Sequence, residues 1–125
     1  MIIASGIDII EIARIEDAFA RRGSRFRDRV FTESEITYCE SLRAKYASYA
    51  ARFAAKEATF KALGTGWSEG IGWCDVEVTR ADSGKPTLRL SGRALEQFKE
   101  MGGRQTHLSL SHSKELAVAQ VLFES

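Results

Sequence analysis

The stretch from Tyr46 to Leu63 constrains the fold most. It is dense in alanine, carries Phe53, Phe60 and Leu63 among its apolar residues, and is followed at once by Gly64. Alanine is the strongest helix former, and a glycine just past the last helical residue is a common C-terminal cap. The chain must therefore be organised around one long helix. Phe53 and Phe60 bracket Glu57, so this helix is expected to be largely packed, and its few charged residues need a reason to be there.

Other segments supply partners for it. Ile2 to Ile10 is isoleucine-rich and broken by Gly6, which reads as a strand. From Glu11 the period changes: Ile12, Ile15 and Phe19 recur at helical spacing up to Gly23. Thr32 followed by Glu35 is a capping-box pattern that starts a helix at Glu33. Asp75 to Arg80 and Leu88 to Leu90 alternate polar and apolar residues around the turn cluster Asp82-Ser83-Gly84-Lys85-Pro86, as a hairpin does. Ser91 can cap a short helix through Met101, and Thr106 to His112 and Leu116 to Phe123 read as two antiparallel strands. This order implies an α+β fold, a mostly antiparallel sheet with the long helix packed on it, and one domain over residues 1–125.

Composition narrows the class. With 125 residues, 44% hydrophobic and 28% charged, the chain matches a globular domain large enough to bury a core without disulfides or structural metal. Eighteen basic and seventeen acidic residues leave a formal charge of +1, which argues against a nucleic-acid binder. Cys39 and Cys74 form no metal or redox motif and are expected as free thiols. No apolar run is long enough for a membrane span, and Asp8 and Glu11 interrupt the first apolar stretch, which is unlike a signal peptide; a cytoplasmic location is expected.

Four features bear on chemistry. Asp8 stands among isoleucines; either it points to solvent from an edge strand, or it is partly buried and needs a cation to offset the cost. Glu57 and Lys61 are four apart on one helix face; they form either an ordinary ion pair worth about 0.2–0.5 kcal/mol or part of a working site, with Arg52 and Lys56 nearby. In His107 to His112, alternation sets His107, Ser109 and Ser111 on one strand face and Leu108, Leu110 and His112 on the other, so the polar three line either a ligand groove or a solvated surface. Between Ala13 and Val30, six arginines oppose three carboxylates; Arg14, Arg21 and Arg25 can share a helical face, either solvated or docking an acidic partner.

Taken together these segments resemble the 4′-phosphopantetheinyl transferase superfamily, in its bacterial holo-[acyl-carrier-protein] synthase branch. Gly6-Ile7-Asp8 with Arg14 matches the family pattern G-x-D-x(5)-R, and Phe53 to Lys61 matches [WF]-x-x-K-E-[AS]-x-x-K. Gly64-Thr65-Gly66, Gly84-Lys85-Pro86 and His107 to His112 resemble later family segments in order. The loop from Trp67 to Trp73 has no clear counterpart.

The resemblance implies Mg²⁺-dependent transfer of 4′-phosphopantetheine from coenzyme A to a serine of apo-acyl carrier protein, in fatty acid biosynthesis, by a homotrimer with clefts between subunits. It implies Asp8 and Glu57 as metal ligands and, with Lys61, as catalytic residues. Arg52, Lys61, Pro86, His107, Ser109 and Ser111 are implied for coenzyme A, and Arg14, Arg21 and Arg25 for the carrier protein. The proton of the attacking serine has three candidate acceptors: a water at the metal, Glu57 or Lys61. Two other functions stay open at this point, a Mg²⁺-dependent nucleotide pyrophosphate hydrolase and a non-catalytic carrier-protein binding module.

Overall fold

The computed structural model describes residues 1–64 and 70–125. Strand β1 (Ile2–Glu11) leads into helices α1 (Ile12–Arg22), α2 (Ser24–Val30), α3 (Glu33–Glu40) and the long α4 (Lys45–Leu63). A 3-10 turn (Trp73–Asp75) precedes the hairpin β2 (Val76–Arg80) and β3 (Pro86–Leu90); helix α5 (Gly92–Glu100) and strands β4 (Gln105–His112) and β5 (Leu116–Glu124) complete the chain. A three-stranded antiparallel sheet has the order β1-β5-β4, and β2 and β3 form a separate antiparallel pair. The expected α+β arrangement is present, with α4 lying against β1 and β5.

Small residues make that packing close. Ala117 and Ala119 on β5 and Ala54, Ala55, Ala58 and Ala62 on α4 are all buried. On β1, a Cβ at Gly6 would lie 1.9 Å from the carbonyl oxygen of Ala58, so only glycine lets the strand approach the helix backbone this closely. The expected capping box is formed: Thr32 Oγ1 accepts from the Glu35 amide at 3.3 Å, and Glu35 Oε1 accepts from the Thr32 amide at 2.9 Å. Gly64 ends α4 in the left-handed conformation, as its position predicts.

Glu35 also has a role that the capping pattern does not reveal. Its side chain and that of Lys56 are both 0% exposed and pair at 2.9 Å. Glu35 Oε2 accepts from the Val78 amide at 2.8 Å, and the Lys56 ammonium donates to the carbonyls of Trp73 and Val76. A buried pair costs desolvation that its own attraction repays only when the remaining polar groups are also bonded. Here those bonds tie α3, α4 and the start of β2 together.

One expectation is corrected. Arg14, Arg21 and Arg25 do not lie along a single helix, because Gly23 takes φ +57°, ends α1 and starts α2 in a new direction. At the other end of the chain, Ser91 occupies the N-cap position of α5 but its side chain makes no capping hydrogen bond. Gly64 and Trp73 are described, whereas Thr65, Gly66 and Trp67 lie outside the described residues. Cys39 and Cys74 are free thiols, buried and exposed respectively. Among the described residues no helix is long and apolar enough to cross a membrane.

Candidate active site

Helix α4 is buried along nearly its whole length, yet Phe53, Glu57 and Lys61 remain accessible. These positions are four apart and form one line along the helix. The close approach at Gly6 carries β1 across this region, and Asp8, two residues on, shares the inward face of the strand. Asp8 is therefore neither free in solvent nor fully enclosed. The Lys61 ammonium donates to Asp8 Oδ1 at 3.1 Å and to the Ile7 carbonyl at 2.9 Å. Lys61 thus pairs across the helix–strand contact with Asp8, rather than forming the simple pair with Glu57 that its spacing allows.

Asp8 and Glu57, remote in sequence, line one cleft of about 570 Å³. The Glu57 carboxyl is pushed above its ordinary range, first by burial and then by the charge of Asp8, with Lys61 opposing. Two carboxylates held where they repel one another are chemically suited to a hard divalent cation, which typically takes one or two carboxylates and fills its remaining positions with phosphate oxygens and water. No group of three or more His, Cys, Asp or Glu side chains comes together as a metal cage among the described residues. A metal at Asp8 and Glu57 would thus depend on substrate and water for its other ligands.

The same cleft is lined by Arg14, Arg21 and Arg22 with Phe26 and Phe53. Arg25 and Arg29 adjoin it beside Arg21, Arg22 and Phe26. The break at Gly23 therefore bends the arginine series around the mouth of the cleft, and the three partner-binding candidates end up on one basic surface.

A second cleft, of about 350 Å³, shares no lining residue with the first and holds Arg52, Pro86 and Ser111. Arg52 is 5% exposed; its Nη1 donates to Ser48 Oγ at 2.9 Å, while its Nε has no partner among the described residues. Tyr38, Arg43, Arg80 and His112 also line this cleft, and the sequence reading named none of them as site residues. His107 and Ser109 lie elsewhere, on the sheet face turned away from the buried side, where His107 Nε2 meets Glu124 Oε1 at 2.8 Å. Of the polar strand residues, the chain thus brings Ser111 to Arg52, together with His112 at the strand end, and leaves His107 and Ser109 apart.

Paired carboxylates with a lysine, a basic rim, and a separate arginine-lined cleft form the kind of site that handles phosphate esters. The family model of the 4′-phosphopantetheinyl transferase superfamily matches residues 4–121, and the chain belongs to that family. It is 47% identical over 124 residues to the holo-[acyl-carrier-protein] synthase of Koribacter versatilis, with 99% of each chain covered. It is 48% identical over 124 residues to that of a Geobacter species, again with 99% of each covered.

Among solved structures, the holo-(acyl-carrier-protein) synthase of Bacillus anthracis, in complex with CoA (3′,5′-ADP), superposes with a TM-score of 0.82 at 42% identity, covering 100% of this chain and 98% of that one. The Helicobacter pylori holo-[acyl-carrier-protein] synthase, in complex with coenzyme A, gives a TM-score of 0.84 at 32% identity, with coverages of 96% and 99%.

Proposed function

We propose that this chain transfers the 4′-phosphopantetheine group from coenzyme A to a serine of apo-acyl carrier protein, with Mg²⁺ held by Asp8 and Glu57. The serine oxygen forms a bond to the β-phosphorus of coenzyme A as its proton passes to a water, Glu57 or Lys61, the bond from that phosphorus to its bridging oxygen breaks, and adenosine 3′,5′-bisphosphate leaves. The observation that carries the reading is the convergence of Asp8 and Glu57 in one cleft, with Lys61 on Asp8.

When bound, the metal would offset the charge that builds on the phosphates. Phosphoryl transfer depends mostly on positioning and electrostatics, so no protein nucleophile is required. Lys61, one turn beyond Glu57 and held beside Asp8, would donate to a phosphate oxygen of the same substrate. Arg14, Arg21 and Arg25 supply a basic surface at the mouth of this cleft for an acidic carrier protein, and charge of this kind speeds encounter.

Arg52, Pro86 and Ser111, with His112, are assigned to coenzyme A. In one chain their cleft is separate from that of Asp8 and Glu57. This separation favours a homotrimer in which one subunit's Arg52 cleft meets a neighbour's Asp8 cleft. The outer sheet face supports association, because it exposes Ile7 (59%) and Ile9 (62%), apolar side chains that a second copy would cover. In such an assembly His107 and Ser109, on that outer face, would reach a ligand held by the neighbour. The cytoplasmic location and the single catalytic domain over residues 1–125 belong to the same reading.

The test is incubation with apo-acyl carrier protein, coenzyme A and Mg²⁺, followed by intact mass of the carrier. A phosphopantetheine adduct that disappears with EDTA is the expected result. Free phosphopantetheine without an adduct would instead indicate a hydrolase, and no product with any apo-carrier would overturn the reading. Light scattering on the purified protein tests the trimer.

A further inference from the structure

The cleft around Arg52 gathers cations without any carboxylate among its lining residues, which are all described. Arg43, Arg52 and Arg80 repel one another there, so something must hold them at their places before an anion arrives. The Arg52 guanidinium lies 4.6 Å from the centroid of the Tyr38 ring, and the Arg80 guanidinium also lies 4.6 Å from that centroid. Arg80 Nη1 in addition donates to the Tyr38 hydroxyl. A guanidinium over an aromatic face is attracted by the negative face of the ring, more strongly where water is excluded, and Arg52 is buried. Tyr38 itself is fixed on α3, the helix locked by the Thr32–Glu35 capping box and the buried Glu35–Lys56 pair.

We propose that Tyr38 is a positioning residue for phosphate recognition: its ring and hydroxyl hold Arg52 and Arg80 together at one cleft, so that both guanidiniums are set for a phosphate ester before it binds. The inference rests on assigning this cleft to coenzyme A. Tyr38 acts through the arginines. Ser48 is the second support, because it accepts from Arg52 Nη1 and is itself bonded to Cys39 Sγ at 3.2 Å. Arg52 Nε is buried and has no hydrogen-bond partner among the described residues, so the guanidinium keeps an unused donor beside the cleft.

The experiment measures binding of adenosine 3′,5′-bisphosphate by calorimetry to the wild type, Tyr38→Phe, Arg80→Met and the double variant. Tyr38→Phe keeps the ring and removes only the hydroxyl that accepts from Arg80. Losing one such bond should weaken binding about three- to ten-fold, and losing the charge of Arg80 should weaken it about ten-fold or more. The double variant should bind no more weakly than Arg80→Met alone, because the hydroxyl works through that arginine. In transfer assays Tyr38→Phe should raise the KM for coenzyme A by the same factor as it weakens binding. It should leave kcat and the KM for carrier protein unchanged, a split that a general loss of structure would not give.

Wild-type affinity in Tyr38→Phe, or additive losses in the double variant, would overturn the positioning role. If the wild type binds neither coenzyme A nor the bisphosphate, the assignment of the cleft fails first. If the wild type binds and Tyr38→Phe matches it, only the role of Tyr38 falls.

Discussion

Replacing Gly6 with alanine sets a methyl carbon 1.9 Å from the Ala58 carbonyl oxygen, 2.8 Å from its carbonyl carbon and 3.1 Å from the Ala62 nitrogen. All three are backbone atoms of α4, so no side-chain rotation relieves the clash. Ordinary contact begins near 3.4 Å, and strand and helix must therefore part by more than an ångström. The interface being opened contains the alanines through which α4 rests on the sheet, and overpacking of this kind costs about 1–3 kcal/mol, occasionally more. Taking roughly 3 kcal/mol for a backbone clash, a chain of this length should lose about 10–15 °C in Tm.

The same displacement separates Asp8 from Glu57 and Lys61. A misplacement of roughly 1 Å costs on the order of a hundred-fold in rate. Gly72→Ala is the control, because a Cβ there meets nothing closer than 3.9 Å and its φ of −95° suits alanine. Thermal melts by circular dichroism and Mg²⁺-dependent transfer measured on both variants decide the matter. If Gly6→Ala melts within 2 °C of Gly72→Ala and retains its turnover, the close approach does not position Asp8.

Asp8→Asn and Glu57→Gln should each abolish Mg²⁺-dependent transfer while leaving the circular dichroism spectrum unchanged; turnover retained in both would remove the metal assignment. Arg14→Glu should raise the KM for carrier protein more than that for coenzyme A, and equal effects would contradict a docking role. Glu35→Gln leaves Lys56 buried without its counter-charge and should cost about 3 kcal/mol in urea unfolding at pH 7. Tyr49→Phe removes the hydroxyl that donates to Glu40 Oε2 at 2.8 Å, a loss of roughly 0.5–1 kcal/mol because Glu40 is partly solvated.

That Tyr49 bond, followed by Lys45, holds the Glu40 carboxyl below its ordinary value. The stabilisation it brings is complete above the unfolded-state value and is lost as pH falls through the lower native one. The stability gap between wild type and Tyr49→Phe should accordingly narrow in acid, which a pH series of melts will show.

Features set by neighbouring residues were legible in the sequence. The Thr32–Glu35 box, the Gly64 cap and the alternation of β4 each depend on a few adjacent positions, and each formed. Asp8 and Glu57 also stand out in the sequence, because a carboxylate among isoleucines and a glutamate between phenylalanines are costly to bury, and the fold brings both to one cleft. Contacts between elements were less visible. Gly23 ends the first helix as its position predicts, but helical spacing still grouped Arg25 with Arg14 and Arg21, and nothing in it showed that a new helix starts directly after that glycine.

Alternation correctly separated His107, Ser109 and Ser111 from Leu108, Leu110 and His112. It did not say which face turns toward the core. Leu108 is buried, so the inward face is that of Leu110 and His112, and the Arg52 cleft opens at the end of the strand, where Ser111 and His112 are both reached. Tyr38 and Arg80 were missed for the same reason, since nothing within α3 or β2 alone marks them as neighbours.

The four charged residues of α4 from Arg52 onward explain why the motif tolerates such a dense set of charges on a packed helix. Arg52 and Lys56 are four apart and so lie on one line; Glu57 and Lys61 form a second line, about 100° around the axis from Lys56. The first line is buried: Arg52 turns to Ser48 and Tyr38, and Lys56 is locked to Glu35. The second line faces the cleft and Asp8. Glu57 can be positioned only if the helix neither turns nor slides. Gly6 against Ala58 sets its distance from the sheet, while Lys56, the residue next to Glu57, sets its rotation through three bonds to other elements. The adjacent Lys56 and Glu57 thus divide the work: the lysine fixes the helix in the interior, and that fixed interior is what holds the glutamate opposite Asp8.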